Sequence, residues 1–337
     1  MVSFAVLGCG RISDVHLKAI EKSQNAKLVA VCDILEEKAK EKGLAYGVPY
    51  YVDLEEMLKK QKPDVVVIGT PSGMHGEHTI MCANYGANIL CEKPIEVTKE
   101  KIDNMIAVCK EKKVLLGGIF QRRMYSAAIE AKKAVSEGKI GDLILCDGYF
   151  KYHRSQKYYN SDDWRGTWAL DGGGALMNQC IHGIDILLMV CGDIESVTAR
   201  CSTLARDIEV EDTAVALVKY KNGAVGVIEG TTALSDGFDT VFQIHGKQGN
   251  ISFGDGCFYS WDVKGQTAPE ILDSLGGKNC GWQNSYNGHT FLVDDMAHCV
   301  MEGKAPYIPG EEARKAVDVI LAIYKSSKYN KEIKVYD

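Results

Sequence analysis

Val2-Ser-Phe-Ala-Val-Leu-Gly8-Cys9-Gly10-Arg11-Ile12-Ser13 opens the chain, and its reading decides the fold. An apolar, strand-like run ends on two glycines one residue apart. A helical pattern follows, with Val15, Ala19 and Ile20 on its apolar side. Lys27-Leu-Val-Ala-Val-Cys-Asp33 is a second apolar run, closed by an acid. Strand, glycine turn, helix and strand ending in Asp, within about 30 residues, form the dinucleotide-binding fingerprint. Gly8 permits the tight turn. Gly10 lets a pyrophosphate approach the helix N-terminus, where free N–H groups and the helix dipole favour an anion. Arg11 and Ile12 complete the turn, and Ser13 stands where a third glycine is usual. A carboxylate at Asp33 accepts hydrogen bonds from ribose hydroxyls and repels a 2′-phosphate. No arginine follows it, so the reading is NAD rather than NADP.

The alternation continues. Asp64-Val-Val-Val-Ile-Gly69 reads as a buried parallel strand, residues 75–86 as a helix and Asn88-Ile-Leu-Cys91 as a strand. Residues 98–112 read as a helix and Val114-Leu-Leu-Gly117 as a strand. The expectation is a doubly wound parallel sheet, which binds ligands at the C-terminal ends of its strands. Three polar clusters fall there: Thr70-Pro71-Ser-Gly-Met-His75, Glu92-Lys93-Pro94 and Gln121-Arg122-Arg123. Lys93 follows a strand directly and precedes a proline. Partly desolvated and beside a cationic nicotinamide, a lysine has a lowered pKa and suits proton transfer with a substrate hydroxyl.

From about residue 121 the pattern changes. Residues 126–137 read as a helix and Leu143 to Lys151 as a strand. The segment Tyr152 to Trp168 is dense in polar and aromatic residues, among them Arg154, Tyr159, Trp164 and Arg165. Sugar sites combine fixed polar donors with aromatic platforms, so this segment is expected to line a pocket. The run Asp171-Gly-Gly-Gly-Ala-Leu-Met-Asn178-Gln-Cys-Ile-His182 follows. Three glycines together cost conformational entropy, so something must approach that backbone closely. A helix opening after them would place Asn178 and His182, four apart, on one face. Asp185 is in reach of that face, to contact substrate or orient the ring. Residues 194–263 alternate in β fashion, with Asn222-Gly223 as a hairpin turn. Helices near 289–303 and 311–327 close the chain.

The expected architecture is α/β: a Rossmann domain over 1–120, then an α+β domain over 121–337 with a large, open, mainly antiparallel sheet. A return of the C-terminal helix to the first domain is left open. A formal charge of -6 argues against a nucleic-acid partner, and no apolar run approaches the length of a membrane span. The N-terminus enters a strand with no leader-like pattern, so a cytoplasmic protein is expected. Twelve cysteines lack Cys-x-x-Cys spacing and sit largely in apolar runs, so they read as buried free thiols rather than metal ligands.

The glycine turn, Asp33, the Thr70–His75 run, Glu92-Lys93-Pro94 and the Gly172–His182 run together resemble the glucose–fructose oxidoreductase / inositol dehydrogenase / MocA family over the whole chain. The resemblance implies NAD(P)-dependent oxidation or reduction of a secondary alcohol on a sugar or cyclitol. Lys93 and His182 would carry the protons, and homodimers or tetramers would form through the open sheet. Many members have an aspartate where this chain has Asn178, which cannot take a proton, so Asn178 is expected to position a hydroxyl. Within that frame the cofactor set is Gly8, Gly10, Arg11, Ile12, Asp33, Thr70, Pro71, His75, Glu92, Lys93 and Gln121. The substrate set is Asn178, Arg154, Tyr159, Trp164, Arg165, Arg122 and Asp185, and no metal is expected. The leading activity is oxidation of a sugar or glycoside hydroxyl, with ring C3 the first choice. Alternatives are an inositol-type cyclitol dehydrogenase and an NAD-retaining enzyme that cleaves glycosides. A non-catalytic sensor is disfavoured because Lys93 and His182 are both present.

Overall fold

Short apolar strands alternating with amphipathic helices wind the N-terminal part into a parallel sheet. The order is β1 (Val2–Leu7), α1 (Ser13–Lys22), β2 (Ala26–Cys32), α2 (Glu36–Tyr46), β3 (Tyr50–Tyr51), α3 (Leu54–Gln61), β4 (Val65–Ile68), α4 (His75–Asn84), β5 (Asn88–Cys91), α5 (Lys99–Lys112) and β6 (Leu116–Gly118). In the computed structural model, which describes residues 1–270 and 285–336, these strands lie in the order β3-β2-β1-β4-β5-β6. Every pairing is parallel. Helices cover both faces of such a sheet, so its central strands are apolar throughout. Val65 to Ile68 are fully buried, as are Phe4, Ala5 and Val6, and each large side chain among them contributes about 1.5–3 kcal/mol. Asp53 and Thr98 cap α3 and α5 by accepting the backbone N–H of Glu56 and Lys101. The strand order reverses between β1 and β4, which is where this architecture opens its ligand crevice.

The second part contains α6 (Ser126–Ser136), β7 (Leu143–Lys151), α7 (Gln156–Tyr159), α8 (Ile181–Cys191), β8 (Ile194–Ser202), β9 (Thr213–Tyr220), β10 (Val225–Thr231), β11 (Val241–Gly246), β12 (Gly249–Phe253) and β13 (Phe258–Val263). The chain ends in α9 (Ser285–Glu302), α10 (Gly310–Tyr329) and β14 (Ile333–Lys334). The second sheet has the order β13-β12-β11-β7-β10-β9-β8-β14. It is antiparallel except where β10 lies parallel to β7. Asn222-Gly223 joins β9 to β10 as expected, with Val225 opposite Lys219. One face is apolar and covered: a Cβ on Gly148 would meet Leu187 of α8 at 2.7 Å, and one on Gly183 would meet Phe150 at 2.2 Å. The helix can approach the sheet this closely only because both residues are glycine. Along β9 the other face carries exposed Val215, Leu217 and Lys219.

By compactness the units are Met1–Gln121 with Ser285–Arg314, and Arg122–Asn284 with Lys315–Asp337. The sequence reading placed 121–337 in the second domain, with a return of the closing helix to the first left open; the segment around α9 groups with the nucleotide-binding unit. Its helix packs against α1 and β5, and the Ser23 hydroxyl donates to Asp294. A second departure follows the glycine run. Residues Ala175–Cys180 form one turn of π-helix, and the α-helix begins only at Ile181. The first backbone N–H groups of the run, which no helix satisfies internally, are capped by Glu211. Its carboxylate accepts from Gly174 at 2.9 Å and Leu176 at 2.8 Å, and its carbonyl accepts from Ala175 at 2.9 Å.

Eleven of the cysteines lie among the described residues, all as free thiols, and Cys280 lies outside them. No described helix is long and apolar enough to cross a membrane.

Candidate active site

The glycine turn in the first unit is shaped by what surrounds it. Gly8 has φ +93°, and a Cβ there would meet the backbone of Gly69 at 2.7 Å, so only glycine fits between the ends of β1 and β4. Above Gly10 the space is open, with nothing within 4 Å of an added Cβ. Ser13 replaces the third glycine without strain. It is buried, and its hydroxyl donates to the Gly10 carbonyl at 2.6 Å, closing the turn. Arg11 and Ile12 sit between these two anchors. Asp33 follows β2, and its two carboxylate oxygens accept the backbone N–H groups of Cys9 (2.8 Å) and Leu35 (2.9 Å). These bonds aim the half-exposed carboxylate across the turn. Asp33→Asn keeps one acceptor and removes the charge. The ratio of kcat/KM with NAD to that with NADP is therefore expected to fall at least about tenfold, one lost charged hydrogen bond. An unchanged ratio would remove Asp33 from cofactor choice.

The loops after β4, β5 and β6 are cross-braced. Nδ1 of His75 lies 2.8 Å from the carbonyl of Pro94, and its Nε2 lies 2.9 Å from that of Thr70. His75 is buried and so ties the Thr70-Pro71 loop to the loop carrying Lys93. Thr70 reaches Nδ1 of His78 at 2.9 Å. Glu92 is buried, and its Oε2 accepts the Lys93 backbone N–H at 3.0 Å. Both His75 and Glu92 therefore act on loop shape, while Lys93 itself is half-buried at the tip of β5. Gln121 follows β6, and its buried amide oxygen has no hydrogen-bonding partner among the described residues. An orphaned acceptor and the open approach to Gly10 are what a nucleotide with exposed donors and a pyrophosphate would fill.

In the second unit, Asp171 is the organiser that sequence reasoning passed over, although it heads the quoted run. It is buried. It accepts Nδ2 of Asn178 at 2.7 Å on one oxygen and the Gly166 N–H at 2.9 Å on the other. The Asn178 amide is thereby fixed, and its Oδ1 accepts from Gln179 at 2.9 Å. Gln179 in turn accepts from Arg154 at 2.7 Å. Arg154 and Arg165 both stack on Tyr158, at 5.3 and 4.5 Å, and Arg165 also stacks on Trp164 at 4.5 Å. Arg165 pairs with Asp162, whereas the contacts of Arg154 are neutral oxygens. Tyr158, unmarked in the sequence reading, is thus the platform of the group. Tyr159 is buried, its hydroxyl 2.7 Å from Thr232.

His182 is buried on the first turn of α8. Asp185, expected at substrate or against the His182 ring, makes a buried two-pronged ion pair with Arg123, at 2.8 and 2.5 Å. Arg122 bonds Asp255 at 2.8 Å and Tyr152 at 3.3 Å, which ties the start of this unit to its sheet. Glu211 holds the glycine run, and Tyr324 donates to it at 2.9 Å. Burial pushes its carboxyl up to about 7 against those donors.

A wound sheet with this turn and an acid closing β2 defines an NAD-binding oxidoreductase. Two family models match the chain. Residues 2–119 match the oxidoreductase family's NAD-binding Rossmann fold, and residues 128–252 match the GFO/IDH/MocA C-terminal domain. The chain belongs to the GFO/IDH/MocA family of oxidoreductases. The WlbA dehydrogenase of Bordetella pertussis, solved with NADH and UDP-GlcNAcA, superposes with a TM-score of 0.90 at 31% identity, covering 99% of this chain and 98% of that one. Myo-inositol 2-dehydrogenase of Thermotoga maritima is 27% identical over 98% of this chain and 97% of its own. D-glucoside 3-dehydrogenase of Escherichia coli is 27% identical over 68% and 70%.

Proposed function

We propose that the enzyme oxidises a ring hydroxyl, C3 by first choice, of a pyranoside that carries an anionic group such as a uronate or a nucleotide phosphate. The observation that carries this reading is the pair of guanidinium planes on Tyr158, joined through Gln179 to Asn178. Among the described residues the oxygens that hold Arg154 are neutral, which leaves its guanidinium to a carboxylate or phosphate, groups that arginine recognises two-pronged. The WlbA relative bound to UDP-GlcNAcA and the relative named for C3 of a glucoside support the same substrate class.

Lys93 takes the hydroxyl proton and His182 is the second proton-handling group, while Asn178, fixed by Asp171, holds a substrate hydroxyl by its carbonyl side. NAD, when bound, accepts the hydride. A neutral cyclitol is the second reading, favoured by the inositol dehydrogenase that matches almost the whole chain. The test is NADH formation at 340 nm with a set of nucleotide sugars, uronic acids, neutral glucosides and inositols. An acidic pyranoside is expected to give the highest kcat/KM, with Arg154→Ala raising its KM at least about tenfold. Sugar release without NADH accumulation would point instead to the NAD-retaining, glycoside-cleaving chemistry. A preference for inositols, untouched by Arg154→Ala, would select the cyclitol reading.

The exposed face bearing Val215, Leu217 and Val225 is proposed as the contact between copies in a dimer or tetramer, in the cytoplasm. A contiguous apolar patch of this kind is costly on a monomer. Sedimentation of the chain as a monomer at micromolar concentration would remove that proposal.

A further inference from the structure

Three side chains meet in the first unit that the scheme above leaves unused. His16 comes from α1, Glu92 from the end of β5 and His289 from α9. Their relative exposures are 0%, 7% and 1%, so no water-filled surface supports them. Nε2 of His16 lies 3.0 Å, and Nε2 of His289 3.6 Å, from one and the same oxygen, Oε1 of Glu92. The two imidazoles meet edge to face, 5.2 Å between centroids. The other oxygen, Oε2, accepts the backbone N–H of Lys93. The carboxylate is thus the middle of a chain with two helices on one side and Lys93 on the other.

Two imidazoles and a carboxylate also suit a divalent cation, and their ligand atoms all lie within 4.8 Å of one another. A metal-bound imidazole, however, donates its second N–H to an acceptor, and Nδ1 of His16 has no partner among the described residues. Nε2 of His16 faces Oε1 of Glu92 at 3.0 Å without hydrogen-bond alignment, so the contact is one of proximity between an imidazole edge and a carboxylate. A structural zinc also calls for a fourth ligand, and the described residues supply three. The geometry favours protons over a metal.

We propose that His16 and His289 are positioning residues for Lys93: they pin the ionised Glu92 carboxylate, which holds the Lys93 backbone and keeps one fixed negative charge at the tip of β5. The inference rests on the reading of Lys93 as the acid/base. Burial is the largest influence on Glu92 and pushes its carboxyl up. The two histidines, His16 first, outweigh it and hold the group well below the usual carboxylate range. Burial also lowers His16 and keeps it neutral. Among the described residues, the titratable groups that influence Glu92 are these two histidines, from α1 and α9. The neighbouring Cys91 thiol on β5 is raised by burial and stays uncharged. Without one imidazole the effect of burial is no longer offset. The carboxyl then takes a proton, and Oε2 ceases to be a fixed acceptor.

The test compares His16→Leu, which keeps apolar volume, with His16→Gln, whose amide nitrogen can replace the lost donor. Thermal midpoints between pH 5 and 8 need no turnover. In the wild type a depressed carboxyl contributes stability above the ordinary carboxylate range, lost only as pH falls through its low native value. In His16→Leu the raised carboxyl contributes at low pH and loses that contribution as pH rises. Loss of the neutral imidazole widens the Tm deficit of both variants alike as pH rises through the ordinary histidine range, so that of His16→Leu should widen from pH 5 to 8 by more than that of His16→Gln. With saturating NAD, kcat of His16→Leu should fall at least tenfold, and the acid limb of its pH profile should move up by at least one pH unit. His16→Gln should restore the profile. The proposal is overturned by a Tm gap between His16→Leu and His16→Gln that does not change with pH, by an unmoved kcat profile in folded His16→Leu, or by a stoichiometric metal in the purified protein. Failure of the Lys93 reading is separate, because it shows as full turnover of Lys93→Met whatever His16 does.

Discussion

Lys93→Met lowers kcat by about 10²–10⁴-fold, the range over which a positioned acid/base accelerates proton transfer. Methionine keeps the length and apolar stem of lysine, and the loop that carries it is braced by groups other than its side chain. Glu92 holds the Lys93 backbone N–H, and His75 binds the Pro94 carbonyl. Fold and cofactor site should therefore survive, and the Kd for NADH, read by protein fluorescence, should stay within about threefold, less than one modest hydrogen bond. Loss of turnover with retained cofactor affinity is the signature of a proton-handling residue. Full turnover at saturating NAD would remove Lys93 from that role.

Gly174→Ala has the largest expected effect on the second unit. A Cβ at this position would lie 1.7 Å from the carbonyl oxygen of Glu211 and 2.8 Å from its carbon. Both are backbone atoms on the segment leading into β9, so no side chain can swing aside. The run must shift, breaking the bonds from Gly174, Ala175 and Leu176 to Glu211. An overpacked site of this kind costs about 3 kcal/mol, which for a unit of this size lowers Tm by about 6–12 °C. The same shift displaces the π-turn that carries Asn178, so substrate KM should rise at least tenfold while NADH affinity is unchanged. A Tm within about 2 °C of wild type would show that the run has another place to go.

Much of the first unit was legible because each cue there is local. Glycine turn, acid and alternating apolar runs lie within a few residues of one another, and the parallel sheet follows from them by rule. The hairpin at Asn222-Gly223 was legible for the same reason. What escaped depends on contacts distant in sequence. His16 is a single polar residue on an apolar helix side, unremarked in the sequence reading, and nothing near it in the chain announces Glu92 or His289. Glu211 caps the start of that run from 37 residues away, which no periodicity in the run itself could reveal. Asp171 was in plain view, but its meaning lies in the side chain of Asn178. Extra turns of π-helix recur at functional sites, and here the added width falls between Asn178 and the helix bearing His182.

The membership of α9 in the first unit also dictates when that unit can be finished during synthesis. Its sheet is complete once residue 118 has left the ribosome, yet the helix that packs against α1 and carries His289 emerges some 170 residues later. At about 5–20 residues per second the wait is roughly 10–30 s. Through that interval a nascent chain bears an uncovered apolar stripe on α1 and a Glu92 lacking one of its two imidazoles. The chain is thus a natural client for whatever shields nascent polypeptides, and cutting the gene after codon 120 would make that exposed intermediate permanent.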